Sequence, residues 1–245
     1  MIDSIKRAFN AYSKSPFPFA WGSLLYIFLF IVFLFATIGL ALIYFISMSV
    51  FNQDINLQSL STAIVLGVMA LIFLFSINGL NAALAKTYRS ALLREKMSLT
   101  AFFAYAVDKA PVTFAVMLMQ DIIWLIFAGP AIALYIYAMA GVAFMDIVVG
   151  AYLLFVTFII QMLFTPLLIY TSLGTDLFGA FRRTINALRR KHVQFLGLYI
   201  LFAVAWLLNF IPFIGLFSIF FLYPVVYTAM IIMMEGTIKR EEEEN

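Results

Sequence analysis

The chain has 245 residues, of which 65% are hydrophobic and only 11% charged, against about 25% charged in soluble domains. Aromatic residues make up 18%, with 28 phenylalanines, and the net charge is +3. An ordinary soluble domain is excluded, and the absence of cysteine excludes disulfides, thiolate metal sites and cysteine nucleophiles.

The N-terminal stretch MIDSIKRAFNAYSKSPFPF has no small-residue cleavage site after a short apolar core, so it reads as part of the mature protein. Ile2, Ile5, Ala8, Phe9 and Tyr12 share one helical face there, with Lys6, Arg7, Asn10 and Lys14 elsewhere. The first apolar run, Phe19 to Ser47, exceeds the ~18 residues that suggest a bilayer span. The polar loop FNQDINLQS follows, then a second span from Leu60 to Ala85. A second surface segment groups Leu99, Phe102, Phe103 and Ala106. The third span starts after Pro111 and reaches Ala140, interrupted by Gly129-Pro130, and the fourth covers Val148 to Tyr170. A third surface segment places Leu177, Phe178, Phe181, Ile185 and Leu188 within an arc of about 100°. The fifth span runs from Val193 to Phe210, and after the turn IPFIG the sixth extends to Met234.

The predicted fold is therefore all-α: a polytopic integral membrane bundle of six transmembrane helices with interfacial amphipathic helices. Continuous apolar runs argue against a strand barrel, whose signal is alternation in short segments. All fifteen Lys and Arg residues fall on one side of this arrangement. Lys6, Arg7 and Lys14 precede the first span, and Lys86, Arg89, Arg94, Lys96 and Lys109 separate the second from the third. Arg182, Arg183, Arg189, Arg190 and Lys191 separate the fourth from the fifth, and Lys239 and Arg240 follow the sixth. The opposite loops hold only Asp54 and Asp146, so both termini are predicted to be cytoplasmic in the cell membrane.

A single membrane domain, 1–245, divides into three units, 1–85, 86–170 and 171–245, each a surface helix followed by a membrane hairpin. Their span entries rhyme: KSPFPFA, KAPVTFA and RKHVQFL. Any chain of hairpins has some periodicity, so duplication and simple alternation both fit.

The most basic segment, FRRTINALRRKH, points Arg183 and Arg190 away from its apolar arc and sets Arg182 and Arg189 at the edge of that arc. Long stems at such an edge lie along lipid while the guanidinium reaches headgroups. Arg182, Arg183, Arg189, Arg190 and Lys191 are the lipid-headgroup candidates; the plainer alternative is that they only enforce topology, and a third is a partner protein or second copy. Nucleic acid is disfavoured because the apolar face is committed elsewhere. His192 stands alone without cysteine or a carboxylate cluster, which argues for an interfacial role and no metal.

Asp121 lies ten residues beyond Pro111, about 15 Å along a helix, near the bilayer midplane. A carboxylate there costs several kcal/mol unless it faces a polar interior or is neutral (~3 kcal/mol or more). Asn78, Asn81, Gln120, Gln161 and Thr165 are candidate neutral partners at similar depth. Asp121 with these groups is either a hydrogen-bonded packing cluster or a proton- or substrate-sensitive site. Prolines 130, 166 and 224 interrupt the third, fourth and sixth spans; broken helices line sites in many transporters, yet proline is also common in ordinary membrane helices. No Gly-rich phosphate loop, GxSxG, HExxH or His-based dyad is present, so no enzyme activity and no cofactor are expected.

The opening SIKRAFNAYSKSPFPF, the segment GTDLFGAFRRTINALRRKHVQF and the hairpin NFIPFIGLFSIFFLYPVVYTAMIIMMEG together resemble the membrane domain attached to some glycerophosphoryl diester phosphodiesterases. They also resemble related stand-alone six-span prokaryotic membrane proteins of unknown function. In that family the phosphodiesterase chemistry belongs to a separate soluble domain, for which this chain has no room. The resemblance thus implies a membrane module associated with lipids or a partner and carries over no catalytic residue. The leading expectation is a non-enzymatic, lipid- or partner-interacting module at the cytoplasmic face. The alternative is a transporter or permease subunit built around Asp121, and a lipid-modifying enzyme ranks third.

Overall fold

The computed structural model describes residues 1–50, 60–139, 142, 144–208, 211 and 213–243, without the side chains of 50, 60, 139, 206 and 237–243. The loop containing Asp54 and the span ends at Ala140 and Phe210 lie outside these residues, as do the side chains of Lys239 and Arg240.

The described chain is helical. A surface helix α1 (Ile2–Lys14) is followed by α2 (Pro16–Val50), α3 (Leu60–Leu92) and α4 (Leu99–Leu134), the last extended by a π-helical stretch, Tyr135–Met139. Then come α5 (Met145–Ser172), α6 (Leu177–Leu208), a short α7 (Ile214–Phe217), a second π-helical stretch, Ser218–Leu222, and α8 (Tyr223–Glu243). The protein is a helical membrane bundle. Among the described residues five helices are long and apolar enough to cross a membrane: Pro16–Ser49, Ser61–Leu92, Leu99–Ala138, Met145–Ser172 and Ile214–Gly236. The predicted fifth span is not one of the five. It forms the distal part of α6, where only residues 193–208 are both apolar and described.

The surface segments are less separate than their periodicity suggests. Ser15, with φ −153° and ψ 72°, breaks the chain between α1 and α2. Lys191, with φ −135° and ψ 28°, kinks α6 between residues 177–190 and 192–208. Aligned on the three rhyming entries, these two breaks occupy the same position; the matching residue of the second unit, Ala110, stays helical, so α4 runs through its surface segment and Pro111 without a stop.

The turns that feed α4 and α6 share one construction. Arg94 (φ 60°) and Gly174 (φ 95°) adopt the left-handed conformation. The next N–H then reaches back five residues, from Glu95 to the Ser90 carbonyl at 2.8 Å and from Thr175 to the Tyr170 carbonyl at 3.0 Å. This satisfies a helix-end carbonyl that otherwise lacks a donor. Ser98 then caps α4 by accepting from the Ala101 N–H at 3.1 Å, and Asp176 caps α6 by accepting from the Gly179 N–H at 2.9 Å.

Small residues let the helices touch. An added Cβ at Gly79 of α3 would lie 2.5 Å from the Ala106 carbonyl oxygen of α4 and 3.0 Å from the Ala110 Cβ. Contact this close between helix backbones is how dispersion holds membrane helices together without a hydrophobic driving force. Helix α8 forms the hub, touching α1, α2, α3, α5 and α6. In the most apolar stretch of Ile214–Gly236, 61% of the residues are buried, against 6% in that of Pro16–Ser49, which places the α8 region centrally and α2 at the periphery.

Packing concentrates at the end carrying the basic residues. Phe19, Leu84, Tyr88, Phe102, Tyr170, Phe195, Leu198 and Met234 are all buried there. Toward the opposite end Ile38, Ile43, Ile64, Leu125, Ile147 and Phe155 are exposed along the helix surfaces. Hydrocarbon solvates such side chains as well as a protein core does, so these halves need not interdigitate.

Candidate functional site: a basic helix face and a polar intramembrane cavity

The surface part of α6 turns small residues inward. Ala180, Thr184 and Ala187 are buried, whereas Phe178, Phe181 and Ile185 are 86%, 52% and 48% exposed. Arg182 and Arg189 are exposed in the same stripe. Most of the apolar arc read from the sequence therefore faces outward, with Leu188 half-buried against the core, and the helix docks through its alanines. In water this distribution would be unfavourable; at a membrane interface it puts aromatic rings into the acyl boundary and guanidiniums among headgroups. The other two segments follow suit: Ile2 and Phe9 of α1, and Leu99, Phe103 and Val107 of α4, are exposed while Ala8, Phe102 and Ala106 are buried.

The five basic candidates do not act alike. Arg182 and Arg189 make no hydrogen bond or ion pair among the described residues. Arg183 is half-buried and donates to Thr175 Oγ1 at 3.4 Å, so it also braces the preceding turn. Arg190 is exposed and Lys191 half-buried at the kink, each engaged within the chain. His192, also exposed, follows the kink. Three other basic residues, Lys86, Lys109 and Arg89, tie helices together. Lys86 and Lys109 lie 5.9 and 5.8 Å from the Tyr105 ring centroid, and the Tyr105 hydroxyl donates to the Ser172 carbonyl at 2.6 Å. Arg89 of α3 pairs with Glu235 of α8, a link that hydrophobicity and charge runs do not reveal. Among the described residues no three His, Asp or Glu side chains come together as a metal set would require.

Between the helices lies a half-open cavity of about 480 Å³. Asn78, Asn81, Gln120 and Gln161 all line it, with Thr165, so four of the five intramembrane candidates converge. Asp121 does not join them. It is exposed in the stripe of Leu118, Ile122 and Leu125, which aims it outward from the bundle. The reason is helical phase: Gln120 takes the inward position, and the next residue is turned 100° away. Tyr26, Tyr199, Phe202 and Tyr227 complete an aromatic wall. Period-3.6 patterning could not single out these aromatics, because every face of their helices is apolar.

Asn81 of α3, Gln120 of α4 and Gln161 of α5 thus reach one space from three helices. Their hydrogen-bonding capacity differs. Asn78 Nδ2 donates to the Leu74 carbonyl and to Met117 Sδ, both at 2.8 Å, leaving its oxygen without a partner among the described residues. Tyr199 donates to Gln161 Oε1 at 3.1 Å, which leaves the Gln161 NH2 available. Thr113 and Thr165 donate to carbonyls of their own helices, Lys109 at 2.8 Å and Gln161 at 2.7 Å. Asn81 and Gln120 have no partner among the described residues, so two whole carboxamides face the space. Among the described residues no Lys, Arg, Asp or Glu lines it.

The proline positions are absorbed without breaking a span. Pro130 and Pro166 lie inside α4 and α5. Pro224 follows the second π-helical stretch, and the Phe220 carbonyl, four residues back, accepts from Tyr12 of α1 at 2.7 Å. No protein-family model, curated protein or solved structure matches the chain.

Proposed function

We propose that the protein is a non-enzymatic, six-span module of the cell membrane, with both termini cytoplasmic, that engages anionic lipid headgroups through the surface part of α6. One observation carries this: Phe178, Phe181 and Ile185 are exposed on the same face as Arg182 and Arg189, neither of which has a partner in the described chain. Each basic residue near an anionic surface contributes about 1 kcal/mol. The distal part of α6, residues 193–208, supplies the sixth crossing; these residues cover about 24 Å as helix, close to the ~30 Å of hydrocarbon. The basic end faces the cytoplasm because retained loops carry Lys and Arg. The resemblance to the phosphodiesterase-associated membrane domain belongs to the same proposal, with the chain contributing the membrane module and none of the hydrolysis.

The test is to neutralise Arg182, Arg183, Arg189, Arg190 and Lys191 to glutamine and count lipids retained by native mass spectrometry. The expected outcome is intact insertion, fewer bound anionic lipids and unchanged zwitterionic lipid. Unchanged anionic lipid with intact insertion would reject lipid engagement and leave topology, or a protein partner, as the role of these residues.

Transport is the second reading, favoured by the cavity. With Asp121 outside the lining, a passage would depend on Asn81, Gln120 and Gln161. Flux in reconstituted vesicles no greater than protein-free leakage would dismiss it.

A further inference from the structure

The cavity carries an inference independent of the basic helix. Its lining offers both hydrogen-bond donors and acceptors, from the Asn81 and Gln120 carboxamides, the Gln161 NH2 and the Asn78 oxygen, but no charge. An ion would lose its hydration there with no opposite charge to replace it, which disfavours carboxylates, phosphates and ammonium groups as occupants. Unpaired amides in hydrocarbon are themselves costly, so these groups need a partner that supplies and accepts hydrogen bonds.

The mouth identifies the route. Leu154 of α5 and Leu207 of α6 line the cavity yet are 74% and 58% exposed, so the space opens between two apolar helix surfaces. Leu207 lies sixteen residues beyond Lys191, about 24 Å from the basic end, which sets this opening within the hydrocarbon. A ligand entering there comes from the lipid phase. The volume falls in the range of sites for small organic ligands, about 300–1,000 Å³, and the apolar portion of the wall, Phe158, Leu168 and Phe202, suits a chain rather than a sugar.

We propose that this cavity binds an uncharged amphiphile with a hydroxyl or amide head, admitted from the bilayer between α5 and α6 and held by Asn81, Gln120 and Gln161. The structure supplies its own reporter. Trp124 Nε1 donates to Thr157 Oγ1 at 2.9 Å, and Thr157 lines the cavity.

The experiment uses the full chain in zwitterionic nanodiscs with Trp21→Phe and Trp206→Phe, leaving Trp124 as the sole indole. Dibrominated stearyl alcohol and stearamide serve as neutral quenchers, with dibrominated stearate and phosphatidylcholine as charged and bulk-lipid controls. Saturable quenching by the alcohol and amide is expected, over a background that merely follows mole fraction for the controls. Asn81→Leu and Gln120→Leu should each weaken the saturable component about tenfold, the loss of one hydrogen bond. Ala203→Phe, which fills the cavity without removing a polar group, should abolish it. Equal, unsaturable quenching by alcohol and stearate would overturn the proposal, as would a saturable component untouched by Ala203→Phe. Quenching by aqueous iodide with none by the amphiphiles would also overturn it and identify a water-filled passage.

Discussion

The Tyr12 hydroxyl of the surface helix α1 donates to the Phe220 carbonyl, at 2.7 Å, in the π-helical stretch that precedes α8. Phe220 is four residues before Pro224, which has no N–H to return to it. The N-terminal helix thus supplies the donor that a proline in the central helix withholds. Phe221 packs edge-on against the Tyr12 ring at 5.2 Å, so the same contact also seats α1 against the bundle.

Tyr12→Phe keeps the ring and removes the donor, and should cost about 1–2 kcal/mol of stability. In a Pro224→Ala background, where the backbone N–H returns, the same substitution should cost measurably less. Thermal unfolding of the four proteins in one detergent gives the coupling; strict additivity would mean that the hydroxyl does not serve the proline. Burial raises the Tyr12 pKa above its ordinary value of about 10. A raised pKa in the folded state means that this contribution is fully present below about pH 10 and fades only as the pH rises through the folded value. The Tyr12→Phe difference should therefore be flat from neutral to mildly alkaline pH.

Gly79→Ala tests the closest helix contact. Its Cβ would meet the Ala106 carbonyl oxygen at 2.5 Å, a backbone atom that cannot swing aside, so α3 and α4 must separate. A loss of about 1–3 kcal/mol is expected from such overpacking. Gly67, where no atom lies within 4 Å of an added Cβ, is the control, and Gly67→Ala should leave the melting temperature unchanged or slightly higher.

The Arg89–Glu235 pair joins α3 to α8 with the two side chains 34% and 24% exposed. Glu235→Gln should destabilise by about 1 kcal/mol or somewhat more, since the pair is neither fully screened nor fully buried. The effect should shrink when Arg89 is already methionine. Urea or thermal titration of the double-mutant set measures it, and equal losses in both backgrounds would show that the two charges do not interact.

Orientation is directly testable because the chain has no cysteine of its own. Ser13→Cys and Ser98→Cys should label with a membrane-impermeant maleimide from the cytoplasmic side in inverted vesicles. Val142→Cys should label only from the other side. Labelling of Ser13→Cys and Val142→Cys from one side would overturn the proposed topology.

Hydrophobic runs made the helical membrane fold legible, because length and the cost of stranded backbone groups in lipid leave few alternatives. Legibility failed where helical phase and close packing decide. Gln120 and Asp121 are neighbours of similar polarity, and one turn angle sends the first into the cavity and the second outward. The arc of Phe178, Phe181 and Ile185 was visible as periodicity, but its direction was not, since the docking face consists of Ala180 and Ala187. The entries KSPFPFA, KAPVTFA and RKHVQFL look alike in sequence, yet the chain breaks at Ser15 and Lys191 and stays helical at Ala110. The Tyr12–Phe220 contact spans 208 positions in sequence and has no local signature.

Lipid selectivity at α6 is the most direct measurement of the proposed function. Wild-type protein and the Arg182→Gln/Arg189→Gln variant are reconstituted, and the motionally restricted fraction of spin-labelled phosphatidylglycerol is compared with that of phosphatidylcholine. Two arginines at about 1 kcal/mol each predict a preference for phosphatidylglycerol at their sites that is about thirtyfold greater in the wild type. That preference should weaken at 1 M salt, where the screening length falls to about 3 Å. Equal selectivity in both proteins, at low and high salt, would contradict lipid engagement by the exposed face of α6.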